Sequence, residues 1–245
     1  IAAATVRSTH TTPSPHQQRR FKVLIDTDIG QDFDDTWALS LALVSDDIFD
    51  VKMVLTSTHN TTARALLVAK FLSRVNRSSI DIGIGIDTPP TPNRPHLLHN
   101  VGAQWPWAED YTFAEYPGPG KIYEDGIQQA IDILSEATPE DPFIVVGLAP
   151  SQNLGAIFSR APHLKKNVFF TNMGGSFFQG YGYHNNPKSL EHNIGYDAAA
   201  SQVLYNQTLS QFIAPICAAP CDTTQWFQIY GANYERFFNS RENNT

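Results

Sequence analysis

The 245-residue sequence has little cysteine, little charge and no long apolar run, and each scarcity excludes a class of protein. Its only cysteines, Cys217 and Cys221, form a C-x3-C pair without further Cys or nearby His, so they cannot build a four-ligand zinc site. One small disulfide and two free thiols both stay open. The longest nearly apolar stretches, such as 37–44 and 143–150, are far shorter than the roughly 20 residues that span a bilayer. The sequence therefore predicts no transmembrane helix.

Charged residues make up only 17% of the sequence, and 24 acidic against 17 basic residues give a net charge of −7. This balance predicts no nucleic-acid partner and no association with an anionic membrane. An acidic protein is better suited to hold cations or small neutral molecules. Hydrophobic residues reach 42%, which is enough for a buried core and excludes a disordered chain.

Apolar periodicity divides the sequence into two parts. Residues 1–20 lack Asp and Glu, are rich in Ser, Thr, Pro and His, and are predicted to form a flexible leader. From Phe21 onward, short apolar runs alternate with segments of helical period. The predicted strands are 21–25, 51–56, 80–86, 142–148, 167–172 and 212–216; the predicted helices are 34–44, 62–75, 124–137, 153–160 and 196–206. The alternation predicts one α/β domain, 21–245, with a mainly parallel central sheet flanked by helices.

One long segment has no clear period. Residues 88–120 contain seven prolines, three glycines and two tryptophans. A loop of this length inside a compact domain is often functional, so we expect it to border the binding site.

An acidic turn follows the first predicted strand and precedes the first predicted helix. It holds five carboxylates within ten residues: Asp26, Asp28, Asp32, Asp34 and Asp35. Like charges this close repel each other unless something neutralises them. The turn lies where α/β folds bind ligands, at the carboxyl end of a strand. A hard divalent cation with oxygen ligands is therefore predicted.

Other interpretations of the acidic turn either use fewer than five carboxylates or require sequence features that the chain lacks. Asp32 and Asp34 would cap the helix and complement its dipole, while Asp26 would make a structural hydrogen bond; this accounts for some of the carboxylates but not for five. An EF-hand is excluded, because its required Gly and Glu positions hold Gln31 and Trp37. A phosphatase of the haloacid dehalogenase type needs a later Gly-Asp pair, which the sequence lacks.

The acidic turn resembles the Asp-x-Asp-x-Gly-x-Asp-Asp signature of the inosine-uridine-preferring nucleoside hydrolases, with two extra residues before the final Asp-Asp. Four later segments resemble further motifs of that family, in the family's order. They are Leu-Thr-Ser-Thr-His-Asn at 55–60, Leu-Ala-Pro-Ser-Gln-Asn-Leu at 148–154, Met-Gly-Gly-Ser at 173–176, and Glu-His-Asn-Ile with Asp-Ala-Ala within 191–199. Five motifs in order make the resemblance specific.

The resemblance implies a calcium site. Asp28 and Asp35 would supply carboxylates, and the backbone carbonyl of Gln152 a further oxygen. Gln152 stands where the family has Thr, which changes nothing because the ligand is main chain. Asp28 would also take the proton of the attacking water.

The resemblance further implies a ribose site. Asp34 and Asn60 would hold the 2′- and 3′-hydroxyls, and the 5′-hydroxyl would be held by Glu191, Asn193 and Asn185. Each of these residues has a further possible role: Asp34 as the helix cap already considered, Asn60 as a glycosylated loop residue, Asn185 as a turn residue, and Glu191 and Asn193 as caps of the helix that follows. The implied partner is a small-molecule ribonucleoside.

The sequence departs from the family near its end. The resemblance implies a C-terminal His-Asp pair, which supplies one more calcium ligand and a His beside the leaving base, but no His follows Asp222. We expect a truncated member, whose domain 21–245 lacks the family's C-terminal part. His99 and Trp105 are candidates for contacting the nucleobase, with aromatic packing as the alternative. A catalytically impaired protein that binds ribose or nucleosides is the alternative function.

Location and assembly are less strongly indicated. Asn-x-Ser/Thr sequons occur at Asn60, Asn76, Asn206 and Asn243, and they favour secretion slightly over a cytoplasmic location. A homo-oligomer is left open.

Overall fold

The computed structural model describes residues 19–88, 102–175 and 191–205. Its centre is a six-stranded sheet with the order β4-β3-β2-β1-β5-β6, in which every pair of neighbouring strands is parallel. The strands are β1 (Phe21–Thr27), β2 (Phe49–Thr56), β3 (Asp81–Ile84), β4 (Ile122–Tyr123), β5 (Phe143–Gly147) and β6 (Val168–Asn172). The predicted α/β fold with a parallel central sheet is thereby confirmed.

Six α-helices flank the sheet in the described part of the chain. They are α1 (Asp34–Val44), α2 (Thr61–Arg74), α3 (Gly126–Leu134), α4 (Gln152–Arg160), α5 (His192–Tyr196) and α6 (Ala198–Tyr205). Short 3-10 helices at Trp105–Trp107, Phe113–Glu115 and Pro162–Lys166 complete the described elements. None of the helices in these ranges has the length and apolarity that a membrane crossing requires.

The core lies on both faces of the sheet, because the central strand β1 is apolar on both sides. Val23 and Ile25 belong to one buried cluster, which α1 and α2 cover, while Leu24 belongs to the other, which α3, α4 and α6 cover. A strand covered on both faces reads as a continuous apolar run, which is why the sequence located β1 correctly.

The structure differs from the sequence prediction in several elements. The two-residue strand β4 was not predicted, since it is too short to show a period; it pairs Ile82 with Ile122. Helix α3 begins at Gly126 rather than 124, because the side chain of Asp125 caps it by accepting from the Gln128 N–H. The helix predicted at 196–206 begins at Ala198, as α6, and the short helix α5 that precedes it was not predicted. The strand predicted at 212–216 and both cysteines lie outside the described residues.

The end of the predicted leader contacts the domain. Arg19 forms an ion pair with Asp141, and Arg20 donates to the Asp46 carbonyl at 3.2 Å. The rest of the predicted leader, residues 1–18, lies outside the described part of the chain.

Candidate functional site

The predicted site residues that the structure describes gather at the carboxyl edge of the sheet. Asp28 follows β1, and Asn60 follows β2 and is the N-cap of α2. Gln152 is the first residue of α4, the helix that follows β5. Parallel strands end at one edge, so loops far apart in sequence meet there. This is the usual ligand-binding edge of an α/β sheet.

Asp35 is a buried carboxylate of the acidic turn. Its side chain is 7% exposed and accepts a hydrogen bond from the Thr27 hydroxyl. Burial, followed by the nearby charge of Asp28, raises the pKa of Asp35 well above its usual range. The turn is made compact by Gly30, whose φ of 122° lies in the region that favours glycine.

Asp28 lies between opposing influences. Desolvation raises the pKa of Asp28, while the Arg64 guanidinium and His192 lower it. Asp34, the first residue of α1, is exposed and adds a smaller effect that raises the same pKa. The charges of Asp28 and Asp34 also raise the pKa of Asp35, so the carboxylates predicted to bind metal or ribose lie near one another at this edge.

The capping role of the acidic turn holds only in part. Phe33 is the N-cap of α1, and no side-chain hydrogen bond caps this helix, so neither Asp32 nor Asp34 acts as a cap. Asp26 does make the expected structural hydrogen bond, since its Oδ1 accepts from Asn153 Nδ2 at 2.7 Å. Its Oδ2 is buried and has no hydrogen-bond partner within the described part of the chain. Burial raises the pKa of Asp26 to about 8.

Asn60 occupies a strained loop. Thr58 and His59 before it have positive φ values of 62° and 53°, which non-glycine residues rarely adopt. The Asn60 side chain caps α2, because its Oδ1 accepts from the Ala63 N–H at 2.9 Å. This bond occupies only the carbonyl oxygen of the amide; the two N–H donors are separate groups.

Glu191 caps α5, in agreement with the capping role considered for it from the sequence. Its carboxylate accepts from the N–H groups of Asn193 at 3.0 Å, Ile194 at 2.9 Å and Gly175 at 2.9 Å. The residue is 6% exposed. The cap therefore links the start of α5 to the loop after β6.

Asn193 makes a different set of contacts. It does not cap α5; its Nδ2 donates to the carbonyls of Leu148 at 3.0 Å and Met173 at 2.7 Å, beyond the ends of β5 and β6. Asn193 thus fixes α5 against the carboxyl edge of the sheet. The predicted site residue Asn185 and the candidate His99 lie outside the described residues.

Three polar residues that sequence reasoning missed hold the site together. Asn153 donates to Asp26 and to the Thr56 carbonyl, and accepts from the Ile86 N–H. Gln104 is fully buried in the irregular segment, where its amide group donates to the Asp32 carbonyl at 2.6 Å. The third is Arg64, which is 1% exposed.

The sequence contains a signal by which Arg64 could have been identified. It lies four residues before Val68 and eight before Leu72, on the apolar stripe of α2 that packs against the sheet. A cation on such a stripe predicts a buried charge with partners, since an unpaired buried charge is strongly unfavourable.

Three aromatic rings meet beside the site. Tyr196 contacts His59 edge-on at 5.8 Å between ring centroids and His192 at 5.6 Å. Trp105 is not among them; it packs against the core cluster under α1 and α2, in agreement with the packing alternative for this residue.

Comparison with known proteins decides what this arrangement belongs to. The model of the family described as inosine-uridine preferring nucleoside hydrolase matches residues 23–244. The chain belongs to this nucleoside hydrolase family. None of the curated protein sequences compared with the chain matches it.

Solved structures share the fold, and two of the following three are nucleoside hydrolases. The type III effector protein XopQ, complexed with adenosine diphosphate ribose, is 21% identical with a TM-score of 0.62, over 79% of this chain and 56% of that one. A plant nucleoside hydrolase is 24% identical with a TM-score of 0.58, over 79% and 58%. The inosine-uridine preferring nucleoside hydrolase of Bacillus anthracis is 18% identical with a TM-score of 0.58, over 77% and 62%. The chain thus spans a little over half the length of these structures.

The family is commonly metal-dependent, and the donor set of this nucleoside hydrolase domain suits a hard cation. Within 19–88, 102–175 and 191–205, no three His, Cys, Asp or Glu side chains form a metal-binding group. The predicted set does not need three, since it combines the carboxylates of Asp28 and Asp35 with a main-chain oxygen of Gln152. Two buried side-chain oxygens, Oδ2 of Asp26 and Oε1 of Gln152, have no hydrogen-bond partner within the described part of the chain. Oxygen atoms are the ligands that a hard cation takes.

The raised pKa values predict that the metal-free domain loses stability as pH rises. Asp26, Asp28 and Asp35 hold protons in the folded state at pH values where they ionise in the unfolded chain. Because the folded state binds more protons, the free energy of unfolding should fall as pH rises. For Asp26 the fall should run from about pH 4 to about pH 8, by up to about 1.4 kcal/mol per pH unit.

Denaturant unfolding in a chelating buffer at pH 5, 6.5 and 8 measures this dependence. The matched variant Asp26→Asn removes one titrating group and should flatten the decline. Stability that rises over the same pH range would contradict the assigned protonation.

Proposed function

We propose that this domain hydrolyses the N-glycosidic bond of ribonucleosides, releasing ribose and free base, with calcium as cofactor. The observation that carries the proposal is that Asp28 and Asp35 lie together at the carboxyl edge of the sheet, where the charge of Asp28 helps to raise the pKa of Asp35, within the matched family segment. The oxygen donors there suit a hard cation and a polyhydroxylated ligand.

The chemistry assigns a role to each group of residues. Cleavage of the glycosidic bond passes through an oxocarbenium-like ribosyl cation and needs a base for the attacking water. Asp28 is proposed as that base, since its raised pKa brings its proton affinity closer to neutral pH. Asp34, exposed at the start of α1, is proposed to accept hydrogen bonds from ribose hydroxyls, together with the amide of Asn60.

The carboxylates of Asp28 and Asp35 and the carbonyl of Gln152 would hold the calcium ion. When bound, a divalent cation supplies Lewis acidity that eases deprotonation of the attacking water. The buried environment of Asp35 strengthens electrostatic attraction to a cation, because little water screens it.

Glu191 and Asn193 are proposed to border the 5′-hydroxyl, together with Asn185. The Oε1 of Glu191 accepts one main-chain N–H within the described contacts and has a second lone pair available. The existing caps hold this carboxylate in a fixed orientation, which favours recognition of a hydroxyl.

Calcium titration with an activity assay tests the proposal. Purified chain is incubated with inosine or uridine, with calcium or with a chelator, and the released base is quantified by chromatography. We expect base release only with calcium, and stabilisation against thermal unfolding by about 2.7 kcal/mol at a calcium concentration 100 times Kd.

Two outcomes would contradict the proposal in different ways. Absence of any stabilisation by calcium would remove the metal assignment. Nucleoside binding without release of base would favour the alternative of a ribose- or nucleoside-binding protein.

A further inference from the structure

The guanidinium of Arg64 joins two loops of the proposed site. Its Nε donates to the Thr58 carbonyl at 3.0 Å, and its Nη1 donates to the carbonyls of Asp28 and Ile29, the latter at 2.5 Å. Thr58 lies in the loop after β2, whereas Asp28 and Ile29 lie in the loop after β1. One planar guanidinium therefore links the two loops.

The loop after β2 has a conformation that needs support. Thr58 and His59 have left-handed backbones, and non-glycine residues keep such conformations only where the surroundings hold them. The Thr58 carbonyl that Arg64 holds lies two residues before Asn60. The same guanidinium holds the main chain of Asp28, and its positive charge favours the ionised carboxylates of Asp28 and Asp35.

We propose that Arg64 is a positioning residue, which holds the loops carrying Asp28 and Asn60 at one fixed separation and so sets cation affinity. The effect on cation affinity rests on the proposed calcium site; the effect on the loops does not. Arg64 is buried beneath both loops and acts through their main chain, so it needs no contact with substrate.

Lysine cannot reproduce this arrangement. A guanidinium presents planar, fixed donors, whereas an ammonium group places all its donors on one nitrogen. Arg64→Lys keeps the positive charge but loses the planar set of donors, and Arg64→Met loses both. Comparison of the two variants therefore separates charge from geometry.

The experiment measures hydrogen exchange and calcium binding on the 245-residue chain. The variants are Arg64→Lys and Arg64→Met, with Arg74→Met as the control, since Arg74 is exposed at the end of the same helix. We expect faster amide exchange at 28–33 and 57–60 in both Arg64 variants, with unchanged exchange in β1 and β5. Calcium Kd should weaken about 10- to 100-fold, as is typical when a group that orients metal ligands is lost.

Each result bears on the proposal. Unchanged exchange in the two loops would overturn it, as would faster exchange with unchanged calcium Kd. If Arg64→Met does not fold, comparison of Arg64→Lys with the wild-type chain still tests the geometry, because that variant keeps the charge. If the wild-type chain binds no calcium, the proposed function fails, and the exchange data alone decide whether Arg64 positions the loops.

Discussion

Replacing Asp28 with Asn is expected to abolish calcium binding and to lower kcat for base release by about 10²- to 10⁴-fold or more. The lower bound follows from the loss of a general base. The substituted side chain would also lack the negative charge that attracts the cation, so the loss of the base and the loss of the metal ligand combine. Asp35→Asn should abolish calcium binding as well, while leaving Asp28 in place. Calorimetric titration and steady-state kinetics measure both effects.

Asp32→Asn is the matched control, because Asp32 is an exposed carboxylate in the same turn. It should change calcium Kd and kcat by less than about twofold, since exposed charges are screened by solvent. Retained calcium affinity in both Asp28→Asn and Asp35→Asn would contradict the assignment of these residues as metal ligands. Equal losses of calcium affinity and kcat in all three variants would show that the total negative charge of the turn matters and that individual ligands do not.

The second large effect concerns the sugar. We expect kcat/KM for 2′-deoxyinosine to be about 10⁴-fold below that for inosine, because a site built to hydrogen-bond a hydroxyl strongly rejects an analogue that lacks it. Asp34 and the Asn60 amide would be left without a partner. Competition between the two nucleosides in one assay measures the ratio directly.

Asp34→Ala tests the origin of this discrimination. It should lower kcat/KM for inosine far more than for 2′-deoxyinosine, so the ratio between them shrinks. Similar rates of wild-type protein on both nucleosides would contradict the hydroxyl-binding roles. A ratio that is unchanged in Asp34→Ala would move the role to another residue.

Several predicted residues carry structural duties that the sequence presented only as alternatives. Asn60 caps α2 and Glu191 caps α5, whereas Asp32 and Asp34 do not cap α1. A capping residue and a ligand-binding residue have the same side-chain chemistry, an oxygen acceptor at a helix start. Sequence pattern alone cannot separate the two roles, because the difference lies in which N–H group is within reach.

The sequence by itself determined the parallel α/β class, the strand positions from β1 to β3 and β5 to β6, and the family. Apolar runs and helical periods are local properties, and five motifs in order need no three-dimensional information. The acidic turn was predicted at the carboxyl end of β1, where the structure places it.

Only the tertiary structure decided what surrounds that turn. Arg64 reaches Asp28 from 36 residues away, Gln104 reaches Asp32 from 72, and Asn153 reaches Asp26 from 127. These contacts form because parallel strands bring the ends of distant segments to one edge of the sheet. The pKa values of Asp26, Asp28 and Asp35 depend on the same packing, since burial is the largest cause of each shift.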